Sequence, residues 1–187
     1  MNLPNKLTIF RILLCPAMIA ALLIPFPFHY LVSLAFFGAA SLTDMFDGMI
    51  ARKHNLVTNF GKFSDPLADK ILVLSALLCF VQNGLCDCVL VIVVLLREFA
   101  VMSVRLMAAS EGKVVAANIW GKAKTVSQIV AIIAVFLSQI ILEFTAMESL
   151  RLPFFIVGEV MLWISTVFCI ISGVIYLIDN RQFISMD

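Results

Sequence analysis

Apolar residues in this chain do not alternate with polar ones; they run together. Six stretches, about 8–25, 30–53, 66–84, 88–109, 123–143 and 154–178, are dominated by Leu, Ile, Val, Phe, Ala and Met and are parted by short polar breaks. Runs of roughly 20 apolar residues have the length an α-helix needs to cross the hydrocarbon of a bilayer. Membrane-spanning strands would read instead as alternating segments of about ten residues. The pattern therefore predicts an all-α integral membrane protein, a six-transmembrane-helix bundle. The breaks carry suitable punctuation: Pro25 and Pro27 after the first run, Asn83-Gly84 after the third, and Pro153 at the start of the sixth. Connections this short leave no room for a soluble module, so residues 1–187 read as a single membrane domain. The first run follows a polar, Pro-containing lead-in and precedes five more, so it is expected to stay in place rather than be cleaved as a signal peptide.

Composition agrees. With 63% apolar residues, 13% charged residues and a mean hydropathy of +1.09, a soluble fold could not cover itself with polar surface. The net charge of +1 gives no support for nucleic-acid binding. Cys15, Cys79, Cys86, Cys88 and Cys169 have no zinc-site spacing and lie in or beside apolar runs, and the two His are scattered. Charge matters here through its distribution. Lys6, Arg11, Arg52, Lys53, Lys62, Lys70, Arg105, Lys113, Lys122, Lys124 and Arg181 fall on the side shared by the termini and the second and fourth connections. The other side has Arg151 with Asp87, Glu143 and Glu148. The positive-inside rule then places both termini in the cytoplasm. With no Arg-rich, Ser-rich leader, the expected location is a bacterial inner membrane.

Against this background four acids stand out. Asp44 and Asp47 close the second run, and Asp65 and Asp69 open the third. Asp44, Asp47, Gly48 and Ala51 are spaced i, i+3, i+4 and i+7, one helical stripe of two carboxylates followed by two residues with almost no side chain. Such a stripe leaves a slot where a ligand can lie against the backbone while the acids hold a metal. Gly61, Asp65 and Asp69 repeat the arrangement at intervals of four, provided the third helix already includes Gly61. Pro66 counts against that, and Asp65-Pro66 could equally be an N-cap and first-turn pair. Gly48 and Ala51 alone would suit close helix packing. Neither alternative explains four acids together beside a bilayer, where like charges repel unless a cation joins them. Oxygen ligands without His or Cys suit Mg²⁺ or Mn²⁺, and four carboxylates suit two ions serving a phosphoryl transfer.

The segment 44–69 reads D-x2-D-G-x2-A-R-x8-G-x3-D-x3-D, and in this it resembles the CDP-alcohol phosphatidyltransferase family, position for position and gap for gap. The resemblance implies that an alcohol hydroxyl attacks the β-phosphorus of a CDP-linked lipid and expels CMP. It further implies that Asp44, Asp47, Asp65 and Asp69 bind two metal ions, with Asp69 also the base that takes the hydroxyl proton. Gly48, Ala51 and Gly61 would make room for the cytidine and Arg52 would hold the nucleotide end. A homodimer is implied as well. A raised proton affinity for Asp69 among other carboxylates, lowered again by metal, is consistent with a base.

Beyond that segment, Leu3-Pro4-Asn5-Lys6-Leu7-Thr8-Ile9-Phe10-Arg11, Arg97-Glu98, Arg105-Leu106, Gly112-Lys113 and Trp120 through Thr125 are similar to the branch of the family that joins CDP-diacylglycerol to glycerol 3-phosphate. A phosphorylated acceptor needs cations, and Arg105, Lys122 and Lys124 are the candidates. Basic residues are expected at cytoplasmic connections in any case. Thr8 and Arg11, at i and i+3, would touch the CDP-lipid phosphates or else anchor the first helix at the interface. Arg97 and Glu98 fall mid-span, where a charge should face the bundle interior or a wet cavity and find a partner, so a structural or cavity-lining role is expected. The rival readings are another acceptor (serine, inositol phosphate or phosphatidylglycerol), a membrane prenyltransferase, or a cation transporter. The transporter reading would want acids near the bilayer midplane rather than at helix ends.

Overall fold

The computed structural model describes residues 3–53, 59–113, 119–145 and 147–183; the side chains of 3–7, 44–53, 59–66, Asp69 and Glu148 lie outside the description. Six long helices and two short 3-10 turns account for almost all of it: α1 (Leu3–Leu23), α2 (His29–Lys53), α3 (Asn59–Gln82), α4 (Cys88–Ser110), α5 (Ile119–Thr145) and α6 (Arg151–Asp179). Each coincides with one of the six apolar runs, and the described residues contain no strand. The helices begin earlier than the apolar runs at α1, α3, α5 and α6, because hydropathy marks where a helix is oily, not where its hydrogen bonding begins. Pro16 inside α1 and Pro153 in the first turn of α6 are both accommodated. α3 starts at Asn59, so it includes Gly61, and Asp65-Pro66 sits in its second turn rather than at its cap.

Two helix ends show why glycine is needed there. Gly84, at φ 69°, and Gly112, at φ 73°, take the left-handed conformation just past α3 and α4. In each case the next amide folds back, Leu85 N–H to the Phe80 carbonyl at 2.8 Å and Lys113 N–H to the Ala108 carbonyl at 2.9 Å, closing off the end of the helix. At the start of α4, the Asp87 side chain accepts from the Val89 N–H at 2.9 Å.

The helices pack in two halves. α1 lies along α2 and α3, and α6 lies along α5 and α4; α2 meets α5, and α3 meets α4, to join them. The seam is aromatic. Phe136 of α5 inserts between Phe37 of α2 and Phe80 of α3, with ring centroids 5.9 and 5.0 Å away, and all three are buried.

α6 shows what solvent the bundle is built for. Its buried positions are Gly158, Leu162, Ser165, Thr166, Cys169, Ser172, Gly173 and Tyr176, mostly small or polar. Its exposed positions include Leu152, Ile156, Val157, Val160, Ile164, Val167, Val174 and Ile178. In water this would be an apolar patch far larger than a monomer tolerates; in lipid it is the proper outside, while small residues inside let helices approach. The inward hydroxyls of Ser165 and Thr166 donate to the Leu162 carbonyl at 2.7 and 2.9 Å, satisfied within their own helix. α5 and α6 are both long and apolar enough to cross a membrane.

Candidate active site

The aspartates occupy corresponding places on consecutive helices. Asp47 and Asp44 lie six and nine residues before the end of α2, and Asp65 and Asp69 six and ten residues after the start of α3. At a rise of about 1.5 Å per residue both pairs stand roughly 9–15 Å from the α2–α3 connection. Gly48, Ala51 and Arg52 follow on α2, and Gly61 precedes Asp65 on α3. The side chains of these eight residues are outside those described, so their placement is at the level of helix and register. Four carboxylates on two consecutive helices, with no His or Cys among them, form a donor set that fits hard divalent cations.

Immediately after Asp69 the side chains are described, and they form a charged cluster inside the bundle. Glu98 of α4 is buried at 6% exposure. Its carboxylate accepts from Lys124 Nζ of α5 at 2.7 Å, from Arg97 Nη1 at 2.7 Å, and from Lys70 Nζ of α3. Arg97 reaches further, donating through Nη2 to Ser172 Oγ of α6 at 2.7 Å. Glu98 and Arg97 together thus tie α3, α4, α5 and α6, across the seam between the halves. Adjacent Arg97 and Glu98 do pair, because the arginine stem is long enough to fold back over the 100° between neighbours on a helix.

Three cations face a single acid here, which leaves two positive charges uncompensated among the described side chains. Buried charge of one sign is costly, and an anion arriving beside the cluster would be strongly favoured. Lys70, Glu98, Lys124, Thr125 and Gln128 line a cavity there of about 20 Å³, space for a single water molecule. Sequence reasoning placed Lys70 only as an orientation signal. The clue to its role was available: a mid-span acid such as Glu98 obliges neighbouring helices to supply cations.

The other candidate residues lie in different surroundings. Arg105, exposed on α4, donates through Nε to the Tyr176 hydroxyl at 3.4 Å, with its guanidinium 5.6 Å from that ring's centroid. Lys122 is exposed on α5. Of the three proposed acceptor cations, Lys124 alone belongs to the buried cluster. Thr8 and Arg11 are fully buried in α1. An interfacial anchor keeps its charged head in water, so burial goes against that alternative for Arg11.

Comparison with known proteins bears on what this arrangement is for. Residues 1–171 match the sequence model of the CDP-alcohol phosphatidyltransferases. The chain belongs to the CDP-alcohol phosphatidyltransferase family. It is accordingly a transferase of phospholipid biosynthesis. Among its relatives is the CDP-diacylglycerol–glycerol-3-phosphate 3-phosphatidyltransferase of Bacillus subtilis (strain 168), 44% identical over 97% of this chain and 96% of the relative. The proteins of the same name from Rickettsia bellii (strain RML369-C) and Salmonella choleraesuis (strain SC-B67) are 38% and 37% identical, covering 94% and 70% of this chain and 93% and 74% of their own. The family's aspartate signature lies wholly within the matched region, at the α2–α3 junction.

Proposed function

We propose that this protein transfers the phosphatidyl group of CDP-diacylglycerol to sn-glycerol 3-phosphate, releasing CMP and forming phosphatidylglycerophosphate for phosphatidylglycerol and cardiolipin synthesis. The choice of a phosphorylated acceptor rests on one observation above all: among the described side chains, Lys70, Arg97 and Lys124 around Glu98 leave an excess of two positive charges, starting at the residue after Asp69. A phosphate dianion would compensate those two charges, whereas free serine or inositol would not. Relatives bearing the name of that activity, over nearly the full chain, support the same reading.

In this reading Gly48, Ala51 and Gly61 leave room for the cytidine against α2 and α3, and Arg52, Thr8 and Arg11 hold the phosphates of the nucleotide lipid. Lys124 and Lys70, with the more exposed Arg105 and Lys122, draw in the acceptor's phosphate and point its free hydroxyl toward Asp69. Asp69 takes the hydroxyl proton as the oxygen bonds to the β-phosphorus, and the bond from that phosphorus to the CMP oxygen breaks. Two Mg²⁺ or Mn²⁺ ions held by Asp44, Asp47, Asp65 and Asp69 would neutralise charge on the diphosphate. All six helices cross the membrane in this reading, with both termini and the aspartates on the cytoplasmic side of a bacterial inner membrane and the protein a homodimer. The inside-out packing of α6 supports the membrane setting.

The test is CMP release by purified protein with CDP-diacylglycerol and Mg²⁺, with and without glycerol 3-phosphate. Release should require that acceptor, stop on chelation of the metal, and vanish in Asp69→Asn, which should keep its helical content. Release driven equally well by serine or inositol would overturn the acceptor. Activity that survives chelation would overturn the metal site.

A further inference from the structure

At the end of the bundle away from the aspartates, the structure holds a second and larger cavity, about 550 Å³. Tyr30 from the start of α2, Asn83 from the end of α3, Gln139 of α5, and Arg151, Leu152 and Phe155 from the first turns of α6 line it. That volume is in the range of small-molecule sites, and the lining combines hydrogen-bonding groups with an apolar wall.

The chemistry of its ligand follows from Arg151. It is the one Lys or Arg in or bordering the three connections at this end, and among the described residues it has no ion-pair partner. Glu143 is the acid near it; its Oε1 accepts the Phe28 N–H just before α2, its Oε2 is buried without a hydrogen-bond partner, and the residue does not line the cavity. Arg151 is also the first residue of α6, whose N-cap, Leu150, offers no side-chain acceptor, so the positive end of a 29-residue helix adds to the guanidinium. Asn83, whose Nδ2 donates to the Leu22 carbonyl at 3.2 Å, and Gln139 bring amide groups to the same wall. A planar guanidinium with amide and phenol donors around it recognises a phosphate. Leu152 and Phe155 are 66% and 37% exposed and pass into the lipid-facing surface of α6 through Ile156 and Val160, a path that suits an acyl chain.

We propose that this cavity binds the phosphate of a membrane phospholipid from the leaflet opposite the aspartate segment, with Arg151 as the phosphate-recognising residue. The site is separate from the aspartates by most of the length of α2, since Tyr30 is the second residue of that helix and Asp44 its sixteenth. Its occupant is therefore distinct from the lipid that reacts.

The experiment follows thermal unfolding of purified full-length protein in detergent, for wild type, Arg151→Gln and Arg151→Lys. The ligands are phosphatidylglycerol, diacylglycerol of the same acyl chains, and inorganic phosphate. Circular dichroism and gel filtration establish that each variant is folded before ligand is added, so the outcome does not depend on the catalytic reading. Phosphatidylglycerol should raise the melting temperature of the wild type by about 5 °C at saturation. The rise should fall to a fraction in Arg151→Gln and be partly kept in Arg151→Lys, and diacylglycerol should give none of it. An Arg151-dependent rise with inorganic phosphate alone would reassign the site to a free anion and overturn the lipid. A rise that is equal for diacylglycerol, or unchanged in Arg151→Gln, would overturn the site.

Discussion

Glu98→Gln should be among the most destabilising single substitutions in this protein that touch no aspartate of the signature. The glutamate carboxylate is the common acceptor for Lys70, Arg97 and Lys124, and the side chains of Glu98, Arg97 and Lys124 are 8%, 12% and 10% exposed. Glutamine keeps the shape and one acceptor oxygen but removes the charge, leaving three cations with no acid among the described side chains around them. Breaking one buried ion pair in this way costs about 3–5 kcal/mol. At about 2–4 °C per kcal/mol for a chain of this size, a fall of roughly 10 °C in melting temperature is expected. The measurement is thermal unfolding in detergent by intrinsic fluorescence, comparing wild type, Glu98→Gln, Lys124→Met and the double variant. If uncompensated charge is the cause, removing one cation should restore about half of the loss, so the double variant should melt above Glu98→Gln. A single variant within about 2 °C of wild type, or a double variant that melts no higher than the single, would refute the reasoning.

Gly173→Ala would place a Cβ 2.7 Å from Arg97 Cγ, whose guanidinium is held at one nitrogen by Glu98 and at another by Ser172, so the stem cannot swing aside. It should lower stability by about 1–3 kcal/mol in the same assay. Gly158→Ala meets only Val135 Cγ2 at 3.2 Å and should cost less than about 1 kcal/mol; a larger loss there than at Gly173 would contradict the packing described. Cys88, the first residue of α4, is exposed, while Cys86 in the connection before it is buried, its thiol pushed up to about 12 by burial and then by Glu159, Asp87 and Cys88. The reactive form is the thiolate, so Cys86 should stay unreactive at pH 8 and gain reactivity only as the pH approaches that value. A membrane-impermeant maleimide added to intact cells should therefore label Cys88, and Cys88→Ser should abolish the labelling. Labelling that appears only after the membrane is opened would invert the proposed orientation.

Hydrophobic run length was enough to locate six helices, because each run must satisfy its own backbone hydrogen bonds wherever it lies. It was not enough to end them. α3 begins at Asn59, seven residues before the apolar run, since polar residues such as Asn59 and Lys62 can continue a helix past its oily part. The signature aspartates were legible because they are local in sequence: two pairs at similar distances along consecutive helices, on either side of a short connection. The charged cluster was legible only in part. Glu98 announces a need for cations by its position mid-span, but six or more basic residues in the chain could have met it.

What the sequence by itself determined is whatever depends on neighbours along the chain: the helices, the family signature, the two acid pairs in register, and the glycines that close α3 and α4. What the tertiary structure alone decided is which distant side chains share a space. Lys70, Glu98, Lys124 and Ser172 lie on four helices, with sequence separations of 26 to 75 residues between those that Glu98 and Arg97 contact. Arg105, similar in charge and on the same helix as Glu98, lies outside that cluster and packs on Tyr176. The physical reason is that helix formation follows from local hydrogen bonding and desolvation, whereas the choice among interchangeable cations follows from helix rotation and packing, which no short stretch of sequence carries.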